Sequence, residues 1–194
     1  QETGLPLPTS TAQYLGSYNP RYIASLGANF RFKNVSLNVL FDTKQGGVFY
    51  SRTRDIMGFN GTSAETGGER IGVIYPNSVY LDANGASVVN TDARYNKQDY
   101  YSDLIAGANI VDASFVKLRS LGLSYSFSKA QLQKSPFGEL SIGIFGNNLF
   151  IWTAKENKYA DPEVNSGGAG NEQGFDFTAQ PSVRNYGLNV RVSF

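Results

Sequence analysis

The chain has no cysteine and no histidine, a single tryptophan, a single methionine and a net charge of only +1 over 194 residues. Lack of cysteine rules out disulfides and thiolate chemistry and leaves the redox compartment unmarked. Lack of histidine removes the commonest metal ligand and the commonest general base. With 17 Lys and Arg against 16 Asp and Glu, charge predicts no nucleic-acid partner. No apolar run approaches the roughly 18 residues that a membrane-crossing helix needs. There is neither a GxSxG nucleophile elbow nor a phosphate-binding P-loop, so no catalytic residue, cofactor or metal is expected. No signal peptide is visible and the first residue is Gln1, so we expect a mature product or, more readily, a piece of one.

What the chain has is alternation. Tyr186, Leu188, Val190, Val192 and Phe194 occupy every second position at its end, with Asn185, Gly187, Asn189, Arg191 and Ser193 between them. Successive strand residues point to opposite faces, so this segment carries one apolar and one polar face. A membrane barrel uses such a strand, facing lipid outward and water inward and ending on an interfacial aromatic. Twelve Tyr, 13 Phe and 21 Gly suit strands with aromatic belts and tight turns.

The pattern recurs upstream. Tyr22, Ala24, Leu26, Ala28, Phe30 and Phe32 alternate with Ile23, Ser25, Gly27, Asn29 and Arg31, which matches the roughly 9–11 residues a tilted strand needs to cross a bilayer. Lys33-Asn34 reads as a hairpin turn, and Val35, Leu37, Val39 and Phe41 return from it. Gly46-Gly47 marks a bend near the rim, after which Val48-Phe49-Tyr50 is expected to continue the same strand. Leu121, Leu123, Tyr125 and Phe127 alternate with serines and Gly122. Lys117 and Arg119 break that rule by sharing the apolar parity. A bulge or protrusion above the hydrocarbon would explain them, and protrusion, with both cations meeting lipopolysaccharide phosphates, is favoured. Leu140, Ile142 and Ile144 alternate next, and Gly146-Asn147-Asn148 breaks the parity before Leu149, Phe150, Ile151 and Trp152.

Two segments lack the period. Residues 51–112 are polar and turn-rich, with Gly67-Gly68, Tyr75-Pro76-Asn77 and a small hairpin of residues 78–81 and 86–89 around Asp82-Ala83-Asn84-Gly85. Residues 154–181 form a second long loop. Short connections (Lys33-Asn34 and residues 129–138) thus alternate with long ones, the sidedness of an outer-membrane barrel with periplasmic turns and extracellular loops. Five strands cannot close a barrel, which takes about eight or more, so we expect the remaining strands to come from elsewhere.

Several stretches together resemble the late strands of SusC/RagA-type TonB-dependent outer-membrane transporters. They are Asn19-Pro20-Arg21-Tyr22-Ile23, Phe30-Arg31-Phe32-Lys33-Asn34-Val35-Ser36-Leu37, Gly46-Gly47, Ala113-Ser114-Phe115-Val116-Lys117-Leu118-Arg119, Leu123-Ser124-Tyr125, Gly146-Asn147-Asn148-Leu149-Phe150, Asp161-Pro162-Glu163, Pro181-Ser182-Val183-Arg184 and Gly187-Leu188-Asn189 with Phe194. The resemblance implies an all-β fold: an antiparallel transmembrane barrel of about 22 strands with an N-terminal plug, of which residues 1–194 supply the last five strands and two long extracellular loops. It implies energy from the TonB complex acting through the plug, a SusD-like surface lipoprotein as partner, and an oligosaccharide or, less often, a peptide as cargo.

Candidate lumen-facing residues are Asn29, Arg31, Asn38, Asp42, Ser120, Ser124, Asn185, Asn189 and Arg191. Substrate contact is assigned to Trp152, Tyr159 and Phe175, whose rings can stack on sugars, and to Asn38 and Asp42; Phe177 lies beside them. For any single one, rim packing or solvation of the interior is the commoner role. Tyr75, Tyr80, Tyr95, Tyr100 and Tyr101 are candidates to anchor a lid protein. Tyr186, Leu188, Val190, Val192 and Phe194 form the expected membrane-assembly signal. Three alternatives compete: a soluble carbohydrate-binding β-sandwich, a passive porin, and a glycosidase using Asp161 and Glu163, a pair better read as a solvated rim. The Asp82 turn resembles part of a calcium loop without the rest of its spacing.

Overall fold

The computed structural model describes residues 9–67, 74, 77–91, 103–168 and 170–194. In chain order its strands are β1 (Tyr22–Phe32), β2 (Val35–Gln45), β3 (Val48–Ser51), β4 (Val79–Leu81) and β5 (Ser87–Val89), then β6 (Ile110–Asp112), β7 (Phe115–Ser126), β8 (Glu139–Thr153), β9 (Phe175–Asp176) and β10 (Asn185–Ser193). Helix α1 (Arg52–Phe59) follows β3, a 3-10 helix (Asp103–Asn109) precedes β6, and a one-turn helix (Lys129–Leu132) links β7 to β8. Among the described residues no helix is long and apolar enough to cross a membrane.

The chain divides into two compact units. The sheet unit, Asn19–Gly47, Ala113–Pro162 and Gln180–Phe194, is built on one five-stranded antiparallel sheet in the order β1-β2-β7-β8-β10. These are the five strands expected from the alternation. β1 and β2 pair in full, from Tyr22 opposite Gln45 to Phe32 opposite Val35, so only Lys33 and Asn34 turn the chain. Lys33 takes φ +52°, the positive φ that a strand-twist-compatible two-residue turn requires.

Because the register is continuous, the two periods line up across strands. Leu37, Leu123, Ile144 and Leu188 form one apolar row, and Val35, Tyr125, Ile142 and Val190 another. The opposite face carries Ser36, Ser124, Gly143 and Asn189 in one row and Asn38, Gly122, Phe145 and Gly187 in the next.

The parity break in β7 is a bulge, not a protrusion. Leu40 faces Ser120 while the adjacent Phe41 faces Leu118, so Arg119 is an extra residue against β2. On the other side Leu118 faces Phe150 and Ser120 faces Asn147, so Asn148 and Leu149 together oppose Arg119, with Asn148 at φ +53°. One inserted residue exchanges the two faces of β7 beyond it. Val116 and Leu118 join the apolar face, and Lys117 pairs with Asp42 on the polar one. The expectation that Lys117 and Arg119 project outward to lipopolysaccharide is therefore overturned.

The second unit is made from the described parts of Gln1–Tyr18, Val48–Asp112 and Glu163–Ala179. β3 does not continue β2, contrary to expectation. Gly46 and Gly47 turn the backbone at φ +80° and +83°, and β3 instead pairs antiparallel with β6 and parallel with β9. Within the first long loop, α1 is capped by Ser51, whose hydroxyl accepts from Arg54 N–H at 3.2 Å. That hydroxyl also donates to Asp176 at 3.0 Å, and Asp176 accepts from the backbone N–H of Thr53 and Ala179 as well. The β4–β5 hairpin forms as expected, with the Asp82 carboxylate accepting from the N–H groups of Asn84 and Ala86 (2.9 and 2.8 Å) and Gly85 at φ +77°. Asp82 thus closes a turn. Tyr75, Tyr95, Tyr100 and Tyr101, Gly68 and Pro76 lie outside the described residues.

Candidate functional site

The polar face of the five-stranded sheet gathers the nine residues expected to face a lumen. Asn29 pairs with Asn38, Arg31 with Ser36, Ser120 with Asn147, and Asn147 with Asn185, so all fall on the face that also carries Asp42, Ser124, Asn189 and Arg191. Toward the short-turn end this face holds an open depression of about 450 Å³, lined by Asn38, Ser124, Ser141, Phe145, Asn189 and Arg191. Three glycines make the room. Gly122 and Gly187 flank Phe145, and a Cβ on Gly187 would lie 2.3 Å from the Phe145 ring, so the far end of the ring rests on bare backbone. Gly143 sits one row away, where a Cβ would come within 3.1 Å of Ser124. The side chains of Asn38, Asn189 and Arg191 make no hydrogen bond or ion pair among the described residues, which leaves two amides, a guanidinium and an aromatic face to meet a solute. Phe145 was not singled out beforehand, although its position in the Ser141-Gly143-Phe145 series already placed it on the polar parity.

Toward the long-loop end the same face is occupied by an ionic network. Arg119 Nε donates to Asp42 at 2.5 Å and its Nη1 to the Asn148 side chain at 3.2 Å, while Asn148 donates to the Val183 carbonyl. Lys117 is almost completely buried. Its Nζ donates to Ser182 Oγ at 2.9 Å and lies 3.5 Å from Asp161, whose carboxylate also accepts from the N–H and hydroxyl of Ser182. A buried ammonium persists only with such compensation. Asp161 and Ser182 stand near the two ends of the second long loop, so Lys117 clasps the base of that loop. Asp161 is thus engaged in a structural clasp, and Glu163 falls in the other unit.

The five substrate-contact candidates do not converge. Asn38 lines the depression and Asp42 is bound to Arg119. Trp152 lies in the row of Val116, on the apolar face, where its ring stacks on Phe150 at 5.9 Å between centroids. Tyr159 is half-buried in the sheet unit. Phe175 belongs to the other unit, stacked on Phe177 at 5.8 Å with Tyr50 at 6.4 Å, both rings half-exposed over the anchored Asp176. Tyr80 lies on the exposed β4–β5 hairpin. Tyr186, Leu188, Val190 and Val192 share the apolar face of β10, and Phe194 packs edge-on against Phe137 at 5.7 Å. Among the described residues no cluster of three acidic groups is arranged to hold a metal.

Over 193 residues, 97% of its length, the chain is 23% identical to TonB-dependent receptor P3 of Formosa agariphila, covering 18% of that protein. Over 100 residues it is 30% identical to TonB-dependent receptor P39 of the same organism, covering 9% of it. The chain resembles a segment of a TonB-dependent receptor. The fold agrees: it matches part of a chain in the open-open state of the RagAB peptide importer with a TM-score of 0.61, at 19% identity, over 97% of this chain and 20% of that one. A second RagAB peptide transporter structure gives 0.62 over 92% and 18%. No family model matches. The chain spans less than a fifth of the length of the curated TonB-dependent receptors it matches.

Proposed function

We propose that residues 1–194 are the C-terminal part of the β-barrel domain of a TonB-dependent transporter in the bacterial outer membrane, with the plug and earlier strands supplied by the rest of the parent protein. The observation that carries this is the five-stranded sheet with one largely exposed apolar face and one polar face. Lipid covers the first and the water-filled interior the second. The outer edges of β1 and β10 await neighbours, as in the last five strands of a closed barrel of about 22. The chain contributes passage rather than chemistry. Asn38, Phe145, Asn189 and Arg191 line the route. Asp42, Trp152 and Tyr159 belong to the long-loop end of the sheet unit, and the second long loop offers Phe175 as a substrate contact. The transporter imports an oligosaccharide or peptide together with a SusD-like lipoprotein, driven by the TonB complex through the plug. That the solved relatives form a peptide importer supports the peptide branch.

The chain's lack of cysteine makes topology directly testable. In a full-length parent whose other thiols are blocked, Asn84→Cys reacts with an impermeant maleimide on intact cells, whereas Asn34→Cys reacts only after the outer membrane is opened. Equal labelling of Asn34→Cys on intact cells, or recovery of the parent without detergent, overturns the reading and returns the soluble sandwich. Deleting Phe194 from the parent lowers the heat-modifiable, surface-exposed barrel. Unchanged levels remove the assembly-signal role.

A further inference from the structure

The bulge that turns Lys117 and Arg119 onto the polar face leaves the apolar face almost without cations. Of the basic residues on the five long strands, Arg31, Lys44, Lys117 and Arg191 occupy polar rows and Arg119 binds Asp42. Arg184, just before β10, differs. It shares the parity of Tyr186, and its guanidinium lies 5.8 Å over the Phe150 ring on the apolar face, beside the stacked Phe150–Trp152 pair. It is exposed and makes no ion pair among the described residues. Directly toward the sheet centre from Arg184, the apolar face carries a groove of about 600 Å³ lined by Leu37, Leu121, Leu123, Ile144, Leu149 and Tyr186. It is shaped by Gly146, which brings no side chain of its own to the apolar row between Leu121 and Tyr186 and lets Leu149 lie across that position as one wall of the groove.

We propose that this cation and this groove are one lipid site, with Arg184 holding a phosphate of an outer-leaflet lipid headgroup and the groove taking one of its acyl chains. The inference rests on the outer-membrane reading above, which puts the long-loop end of the sheet, and so Arg184, at the outer leaflet. The arrangement matches an amphiphile: an anion partner is missing at one end, and methylene-compatible space lined by aliphatic side chains and the Tyr186 ring lies at the other. Phe150, itself stacked on Trp152, holds the guanidinium against the sheet at the interfacial level, where aromatic rings sit well. Free phosphate would use only the first half of the site.

The test is made on the detergent-purified full-length parent, delipidated and titrated with lipid A, with lipid A stripped of its phosphates, with inorganic phosphate and with phosphatidylcholine, reading bound lipid by native mass spectrometry. Wild type retains lipid A in preference to the dephosphorylated form and to phosphatidylcholine. Arg184→Gln lowers lipid A retention about five-fold, the effect of one basic residue at a charged membrane surface, and removes the preference for phosphate. Ile144→Trp, which fills the groove, lowers retention of both forms of lipid A while leaving heat-modifiable migration intact. Unchanged lipid A binding by Arg184→Gln, or inorganic phosphate competing as well as lipid A, overturns the lipid site alone. Failure of the wild-type parent to enter a bilayer overturns the outer-membrane reading and the site with it.

Discussion

On the five-stranded sheet Leu26, Leu188 and Tyr186 stand 72%, 67% and 73% exposed, whereas in the second unit Phe49 and Val111 are only 5% and 2% exposed. The second unit also buries polar groups, Ser51, Asp55, Asn109 and Asp176, and ties Ser51, Asp55 and Asp176 into hydrogen bonds. Except at Asn109, whose side-chain amide is buried with no hydrogen bond among the described residues, its core follows the rule for a protein in water, where apolar side chains hide and buried polar ones are paired. The sheet follows the opposite rule on one face and the aqueous rule on the other. A surface that repeats Leu, Ile, Val and Phe over five strands is matched to an apolar solvent, because in water the same area would drive aggregation.

The difference can be broken at chosen residues. The largest effect is expected at the clasp in the sheet unit. Asp161→Ala removes the carboxylate 3.5 Å from the buried Lys117 ammonium and leaves Asp42, opposite it on β2, as the remaining acidic neighbour. It destabilises the assembled parent by about 3 kcal/mol, the low end for a broken buried pair, read as a lowered unfolding midpoint in detergent. The double variant Lys117→Met, Asp161→Leu recovers most of the loss, and a single variant that behaves as wild type means that Asp42 and Ser182 alone hold the Lys117 ammonium and the clasp is not needed. Next is Leu188→Arg, which sets a charge among Ile144 and Leu123 on the apolar face. It costs about 2–4 kcal/mol if that face meets hydrocarbon, and abolishes most of the heat-modifiable barrel. Val79→Arg on the exposed β4–β5 hairpin is nearly neutral by the same assay. Equal effects at the two positions would erase the comparison.

Gly187→Ala is expected to cost about 1–3 kcal/mol, since the new methyl collides with the Phe145 ring and must displace it. Phe145→Leu in the same chain relieves the loss, which urea titration of single and double variants resolves. The smallest effect belongs to the second unit. Ser51→Ala removes the α1 cap and the hydrogen bond to Asp176, costing about 1 kcal/mol and showing as faster proteolysis near α1 with the barrel intact. Loss of the barrel itself would overturn the assignment of this cap to the second unit alone.

Much of the sheet was legible beforehand because its signal is local. A period of two needs no knowledge of neighbours, and it placed β1, the Lys33-Asn34 turn, the start of β2, β8 and β10 within a residue or two. It set the end of β2 too late, because Val48-Phe49-Tyr50 keeps an extended look beyond Gly46-Gly47. It also put the polar-face residues together, since register follows parity once a two-residue turn is set. The second unit was hardly legible. α1 is only eight residues long and β3, β6 and β9 are two to four residues each, too short for a period to declare itself. The sequence reads Phe175 only as an aromatic of the second loop, while its ring partner Tyr50 lies 125 residues away in a strand expected to belong elsewhere.

Taken alone, the order of residues determined the strands, their two faces and the alternation of short and long connections, because each depends on side chains only one or two positions apart. Tertiary pairing decided what happens at the parity break. Lys117 and Arg119 carry the same letters whether they point to lipid or to water. Only the register of β7 against both β2 and β8 adds the extra residue that turns them toward Asp42 and Asp161, across 75 and 44 positions of chain for Lys117. A buried charge goes where its counter-charge is, and that place is set by the folded sheet.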